Sequence, residues 1–231
     1  MSTLHPTKKF FASLAVVAVA ALPLAACSSG SDSGSSSDSS SSSSTPPKAV
    51  ASITALTGED TAVALDTGFT DALESLGLTP GTVGDGALED GSLVFPITGG
   101  NVEVFTPGEV SPYVIGQIQH EGSGFSLEAG DTKVEITNLN VDPGASRVYG
   151  DVAVNGETAV TSAYIFTLNG STLKPLQSEG ETAILEGTQV LISPVAADLL
   201  NQTFDTDAVT PELLVGIAKI TVNTTSGDDG N

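Results

Sequence analysis

The sequence predicts a mainly β protein, an antiparallel sandwich or barrel with two or three short helices. Apolar and polar residues alternate with a period of two through much of the chain, as in strands that bury one face. Turn-forming pairs such as Asn155-Gly156 and Asn169-Gly170 separate these runs at short distances and predict tight hairpins. Helical spacing of apolar residues is confined to brief segments.

The first 26 residues have the layout of an exported bacterial protein. Two lysines precede an apolar run over Phe10–Leu22, and small residues lead to the single cysteine of the chain. The segment Leu24-Ala25-Ala26-Cys27 resembles the bacterial lipobox. This resemblance implies that residues 1–26 are a lipoprotein signal peptide and that Cys27 carries a diacylglycerol. An ordinary secretory signal and a transmembrane anchor are the alternatives, although a spanning helix needs about 20 apolar residues.

The rest of the chain divides into three predicted segments. Residues 27–48 are the acylated cysteine and a serine-rich tether, which cannot bury enough apolar surface to fold. Residues 49–223 suit a single β-rich domain with one core. Residues 224–231 are polar and predict a disordered tail. The lipid anchor and tether together predict a protein held at the extracytoplasmic face of the cell membrane.

Helix signals occur at three places within the domain. The first helix should begin after Asp66 or Thr67 and end before Gly77, since apolar residues follow helical spacing between them. A second should begin at Ser193-Pro194, because proline is favoured in the first turn of a helix. A third, short helix is predicted over Thr210–Leu214.

The strand pattern also predicts which residues share a face. Residues 121–124, Glu-Gly-Ser-Gly, read as a turn, so that His120 would lie at a strand end on the same face as Val114 and Ile118. Tyr164 is predicted on an apolar face with Phe166 and Leu168, where core packing is the default. A last strand over residues 217–222 should close the sheet.

Charge and composition exclude several functions. The net charge of −21 argues against nucleic acid as a partner, because phosphate binding needs clustered Lys and Arg. No nucleophile elbow and no phosphate-binding glycine loop are present, so no catalytic residue is predicted. The acidic turns lack the full spacing of a calcium-binding loop, and we predict that they are solvated turns. The sequence therefore does not define the ligands of any metal.

His120 and Tyr113 are the candidate ligand-binding residues of the domain. His120 is the one histidine that remains after signal removal, and a histidine can pack in a core, bind a metal or act as a base. Tyr113 lies seven positions earlier on the same predicted strand. Residue chemistry alone predicts no cofactor at these positions.

The order of features from Gly91 to about Val154 resembles the HtaA-type domain of actinobacterial cell-envelope proteins. The residues that support this resemblance are Leu93–Ile97, Gly116–Gly122, Phe125–Leu127 and Val134–Asn138. The resemblance implies a β-rich fold and haem capture by a tyrosine ligand that a histidine supports. It places His120 at the histidine position, while the early segment in which the family carries its tyrosine ends here in Phe69.

Three functional hypotheses follow from these observations. The first is a non-enzymatic, membrane-tethered module that binds a small molecule or another envelope component. The second is a lipoprotein that captures haem or a metal at His120. The third is a hydrolase that uses acidic residues, for which a cleft holding two carboxylates would be required.

Overall fold

The computed structural model describes residues 46–224 of the chain. The predicted signal peptide, Cys27, nearly all of the tether and nearly all of the tail lie outside these residues. Within residues 46–224, no helix is long and apolar enough to cross a membrane.

The described part of the chain folds into strands and two α-helices. The strands are β1 (Ala51–Ile53), β2 (Asp60–Leu65), β3 (Thr79–Gly84), β4 (Ala87–Glu89), β5 (Ser92–Pro96), β6 (Gly99–Val104), β7 (Val114–Ala129), β8 (Thr132–Asp142), β9 (Arg147–Val154), β10 (Glu157–Asn169), β11 (Gln177–Glu179), β12 (Thr182–Ile192) and β13 (Leu214–Asn223). The helices are α1 (Thr67–Ser75) and α2 (Pro194–Phe204).

All of these strands belong to one antiparallel sheet. Its order is β1-β6-β7-β8-β9-β10-β12-β13-β2-β5-β4, while β3 pairs with β7 and β11 with β12 beside this path. The sheet curls into a half-barrel, and the apolar residues of its inner face form the core. The predicted fold class, mainly antiparallel β with short helices, is therefore confirmed.

The two helices begin where their caps predict. The Asp66 side chain accepts a hydrogen bond from the Gly68 amide at 2.8 Å, which starts α1. The buried Ser193 hydroxyl accepts from the Ala196 amide at 3.0 Å, and Pro194 follows as the first residue of α2. Both predictions are confirmed because a cap is a local signal that needs no distant partner.

The predicted third helix over Thr210–Leu214 is wrong. Glu212 has a left-handed backbone with φ of 67°, which interrupts a helix. Strand β13 begins at Leu214 and lies between β12 and β2, near the middle of the sheet order. The short apolar run that suggested a helix is thus the entry to a buried strand, and the last strand is longer than predicted.

Two predicted turns are also wrong. Strand β7 runs without interruption through residues 121–124, which form an irregularity in its pairing with β8 rather than a chain reversal. At Asn169 the chain enters a short 3-10 turn, in which the asparagine side chain accepts a hydrogen bond from the Ser171 backbone amide. By contrast, Asn155 and Gly156, with φ of 52° and 82°, form the predicted tight hairpin between β9 and β10.

A row of β-bulges crosses the middle of the sheet. Register shifts occur between β7 and β8, between β8 and β9, and between β9 and β10. The bulged residues Gly122, Asn138 and Ser162 all have positive φ, at 75°, 53° and 52°. Because a bulge bends its strand and increases the local twist, this row contributes to the curl that encloses the inner face.

Candidate functional site

The curled sheet encloses an apolar pocket of about 320 Å³. Its wall is built from inward-pointing residues of several strands, among them Leu93, Phe95, Phe125, Leu139, Val141 and Phe166. Phe125 stacks on Phe166 with ring centroids 5.8 Å apart, and Phe95 lies 6.4 Å from Phe125. The volume lies at the lower end of the range usual for small-molecule pockets in proteins.

The wall of this pocket carries no Asp, Glu, Lys or Arg among the described residues. Its polar side chains belong to Thr61, Ser111, Tyr113, His120, Ser146 and Thr188. A charged ligand group inside the pocket would lose its hydration without gaining an opposite charge, which is costly. The pocket is therefore suited to a neutral, mostly apolar molecule.

His120 lies on the inner face of β7 and is only 1% exposed. Its Nδ1 lies 2.9 Å from the Pro96 carbonyl oxygen, and its Nε2 lies 3.2 Å from the Thr61 hydroxyl. Since a carbonyl only accepts, Nδ1 carries the proton and donates to Pro96. Nε2 of the neutral ring then accepts from Thr61, so that both ring nitrogens are engaged.

Burial lowers the pKa of His120 from its ordinary value, while the hydrogen bonds to backbone carbonyls oppose this shift. The imidazole is therefore neutral at pH 7. Its ring centroid also lies 6.2 Å from that of Phe95, within the range of aromatic pairs. His120 thus joins β7 to β2 and to the end of β5, and it packs as part of the core.

Tyr113 lies in the pocket wall just before β7 begins, and it is half-buried. Burial raises the pKa of its phenol, so the group stays protonated at neutral pH. The two residues before it, Ser111 and Pro112, are exposed and also contact the pocket, which places this segment at the pocket rim. The structure brings the two predicted residues, His120 and Tyr113, to one pocket.

The side chains fit haem only in part. Tyr113 presents a phenol that could ligate ferric iron, and the apolar wall suits a porphyrin ring. His120, however, has both nitrogens engaged, and Phe69 lines the pocket with a ring that has no ligand atom. Within residues 46–224, no group of three or more His, Cys, Asp or Glu side chains is placed to hold a metal ion.

A second concavity, the polar cleft, lies on the opposite face of the sheet. It measures about 580 Å³ and is lined by Gln119, Glu121, Gly122, Asn138, Leu139, Asn140, Tyr149, Gly150, Asp151 and Ser162. This cleft was not among the sites that the sequence predicts. A signal was present, since β7, β8 and β9 each carry two polar side chains spaced two residues apart, but the register that aligns them depends on the bulges.

The cleft brings the carboxylates of Glu121 and Asp151 to one concavity. Asp151 accepts from the Asn138 side-chain amide at 3.0 Å and from the Ser162 backbone amide at 2.9 Å. These hydrogen bonds lower the pKa of Asp151, which keeps the carboxylate ionised. Glycoside hydrolysis pairs such an ionised carboxylate with a second carboxyl group that acts as the general acid, so Asp151 alone does not make a hydrolytic site.

The fold and the pocket together define a class of domain: a single curled antiparallel sheet that encloses an apolar cavity. No protein-family model matches the chain, and no curated protein matches it. Among solved structures, the chain is similar to the C-terminal domain of HtaA from Corynebacterium glutamicum. The two share 14% sequence identity with a TM-score of 0.51, over 73% of this chain and 98% of that one.

A domain-swapped dimeric variant of the same HtaA domain also matches, with 14% identity and a TM-score of 0.43, over 68% of this chain and 91% of that one. The HtaA-type resemblance that the sequence predicted is confirmed at the level of the fold. It covers 73% of the chain, more than the segment from Gly91 to about Val154 on which the sequence prediction rests.

Proposed function

We propose that this protein is a non-enzymatic, membrane-tethered lipoprotein of the cell envelope that binds a neutral, apolar small molecule. The observation that supports this proposal is the pocket of about 320 Å³, whose wall has an aromatic and aliphatic lining and, in the described part of the chain, no charged side chain. Burial of apolar ligand surface contributes about 25 cal/mol per Å². Such a pocket can therefore hold a hydrocarbon group without any ion pair.

The tether and the pocket serve one purpose in this proposal. Acylation of Cys27 would hold the domain close to a membrane, which is a source of apolar molecules, while the serine-rich segment gives the domain a reach of roughly 25 Å. The strongly acidic surface keeps the domain itself in water. A ligand that is poorly soluble would then pass between the membrane and the inner face of the sheet.

A tryptophan reporter tests the pocket. The chain has no tryptophan, so Tyr113→Trp introduces a single indole into the pocket wall. Addition of ω-bromoundecanol, a neutral chain whose bromine quenches indole fluorescence on contact, should quench most of the emission. Unlabelled undecanol should restore it by competition.

The matched control for this experiment is Tyr149→Trp, which places the indole in the polar cleft on the other face of the sheet. Its emission should be unchanged over the same range of bromoalcohol. Equal quenching of both variants would indicate general adsorption of the alcohol to the protein and would contradict the proposal. No quenching of either variant would contradict it equally.

Haem capture is the second candidate function, because Tyr113 and His120 line the same pocket and because the sequence resembles the HtaA-type domain. In this case Tyr113 would hold the iron through its phenol oxygen, and the porphyrin would replace the neutral ligand. His120 could take part only if its bond to Thr61 opened.

Titration of the full chain with haemin tests this candidate. Capture should sharpen the Soret band, and Tyr113→Phe should abolish the change. Tyr164→Phe is the control, since Tyr164 pairs with Tyr149 away from the pocket wall. A spectrum identical to that of free haemin would remove haem as a ligand and leave the neutral-ligand proposal to the tryptophan experiment.

A further inference from the structure

We infer that the polar cleft is a second binding site, for a neutral sugar or a short segment of a glycan. The inference rests on side chains that have no role in the apolar pocket. Strand residues alternate between the two faces of the sheet, so Gln119 and Glu121 point away from the face that His120 occupies. The two sites therefore share three strands but lie on opposite faces.

One side of the cleft is a cross-strand row of three side chains. Gln119 of β7 pairs with Asn140 of β8, and Asn140 pairs with Tyr149 of β9. Two amides and a tyrosine thus lie side by side across the sheet. Amides donate and accept hydrogen bonds at adjacent atoms, which matches the alternation of hydroxyl groups around a sugar ring.

The other side of the cleft is the row of bulges. Asn138 accepts from the Gly122 amide at 3.0 Å and donates to Asp151, which in turn accepts from the Ser162 amide. These bonds fix the carboxylate and the amide before any ligand arrives. Groups held in this way bind with a smaller loss of side-chain entropy.

Tyr149 supplies a flat, half-buried ring at the edge of this polar surface. Its orientation is constrained by Tyr164, at 6.1 Å between centroids, and by Arg147, which donates toward its hydroxyl at 3.5 Å. Arg147 itself lies over the Tyr164 ring at 4.5 Å. An aromatic plane beside fixed polar groups suits a ring that has both C–H and O–H surfaces.

Asn140 provides the observation that points most directly to a ligand. Its Oδ1 is buried and has no hydrogen-bond partner among the described residues. Buried polar atoms without a partner are rare and reduce stability. Asn140 lines the cleft, and a rotation of its side chain would expose this atom to a ligand hydroxyl, which can donate or accept and so can pair with either orientation of the amide.

A cation is a poorer match for the same cleft. Its carboxylates are Glu121 and Asp151 alone, and no group of three acidic, histidine or cysteine side chains converges there within residues 46–224. Both Asp151 oxygens already accept hydrogen bonds. The density of neutral amide and hydroxyl groups therefore favours a polyhydroxylated, uncharged ligand.

Saturation-transfer NMR with the full chain tests this site, using glucose, maltotriose and the trimer of N-acetylglucosamine as probes. At least one probe should bind. Asn140→Ala should weaken its binding roughly fivefold, the effect of one lost hydrogen bond, and Tyr149→Leu should weaken it as well. Asn101→Ala, an exposed asparagine on β6, is the matched control and should bind as the parent does.

Measurement of the free energy of unfolding distinguishes a role of Asn140 in ligand binding from a role in the stability of the fold. Because Asn140 Oδ1 has no partner within residues 46–224, Asn140→Ala should leave the free energy of unfolding unchanged or raise it while it weakens binding. If a trisaccharide binds more tightly than glucose, the ligand of the cleft is a segment of a glycan chain. If the two bind equally, the ligand is a free sugar, and either outcome supports the site. Absence of binding by all three probes, binding unaffected by both variants, or cleavage of a trisaccharide would overturn the inference.

Discussion

Substitution of His120 by leucine should destabilise the domain by roughly 2–5 kcal/mol, even though leucine is of similar size and fully apolar. The side chain is 1% exposed and bonds to the Pro96 carbonyl and the Thr61 hydroxyl. Leucine would leave the buried Thr61 hydroxyl and the half-buried Pro96 carbonyl without this hydrogen bond, and an unsatisfied group of this kind costs about 1–3 kcal/mol when it is buried. Guanidinium denaturation followed by circular dichroism measures the loss.

A double substitution tests whether the cost comes from these unpaired groups. Thr61→Val in the His120→Leu background removes the orphaned hydroxyl, so the double variant should regain about 1 kcal/mol. Gln117→Leu, at an exposed position of the same strand, should change the stability by less than about 0.5 kcal/mol. If His120→Leu were as stable as the parent, the histidine would not be a structural residue and its role would lie in ligand binding.

The same histidine should make the stability depend on pH. Burial lowers its pKa below the ordinary value of 6.5, so between the folded and unfolded pKa values the unfolded chain binds more protons. The contribution of His120 to the free energy of unfolding should be fully present above pH 6.5. It should decrease as the pH falls below this value, by up to about 1.4 kcal/mol per pH unit. Asp60, whose carboxyl pKa burial raises, acts in the opposite sense, because its folded form holds a proton more readily than its unfolded form, and His120→Leu leaves Asp60 in place. The slope should be absent in His120→Leu.

Local sequence signals were sufficient to predict part of this fold. The caps at Asp66 and Ser193 and the hairpin at Asn155-Gly156 depend on residues that are neighbours in sequence. Such signals specify a backbone conformation before any tertiary contact forms. The overall fold class was predictable for the same reason, because strand alternation needs only one buried face.

The errors occurred where long-range pairing determines the structure. Residues 121–124 have the composition of a turn, yet β3 and β8 pair with β7 on either side of this segment and keep it extended. The bulges then shift the alternation of faces. Tyr164 was predicted on an apolar face, but it pairs with Tyr149, whose side chain lines the polar cleft. A single inserted residue reverses the face of every residue beyond it, and the sequence does not mark where this occurs.

Only part of the candidate site could be predicted from the sequence. The inward face of His120 followed from its spacing with Val114 and Ile118, which are both buried. Its hydrogen-bond partners are 24 and 59 residues distant along the chain, and only the strand order brings them together. Tyr113 and His120 were identified by residue chemistry, while the apolar, uncharged character of their pocket emerged only from the curl of the sheet.

Gly124→Ala, a small substitution near the row of bulges, should destabilise the domain by roughly 3 kcal/mol. A Cβ atom at this position would overlap the Ile136 carbonyl oxygen and lie 2.9 Å from Thr137 Cα, both backbone atoms of β8. Strand β7 is paired at Gly124 with β8 on one side and with β3 on the other. Neither neighbour can shift without breaking ladder hydrogen bonds, so the strain is not relieved by side-chain movement.

Gly170→Ala is the matched control, because a Cβ atom there meets no atom within 4 Å and the residue does not have a positive φ. It should change the free energy of unfolding by no more than about 0.5 kcal/mol. Denaturation of both variants in parallel gives the comparison. If Gly124→Ala were as stable as Gly170→Ala, β7 and β8 would be free to separate at the bulge, and the curl of the sheet would not depend on close backbone contact there. Because that curl encloses the apolar pocket, the tryptophan reporter at position 113 should also lose its quenching by the bromoalcohol in the Gly124→Ala background.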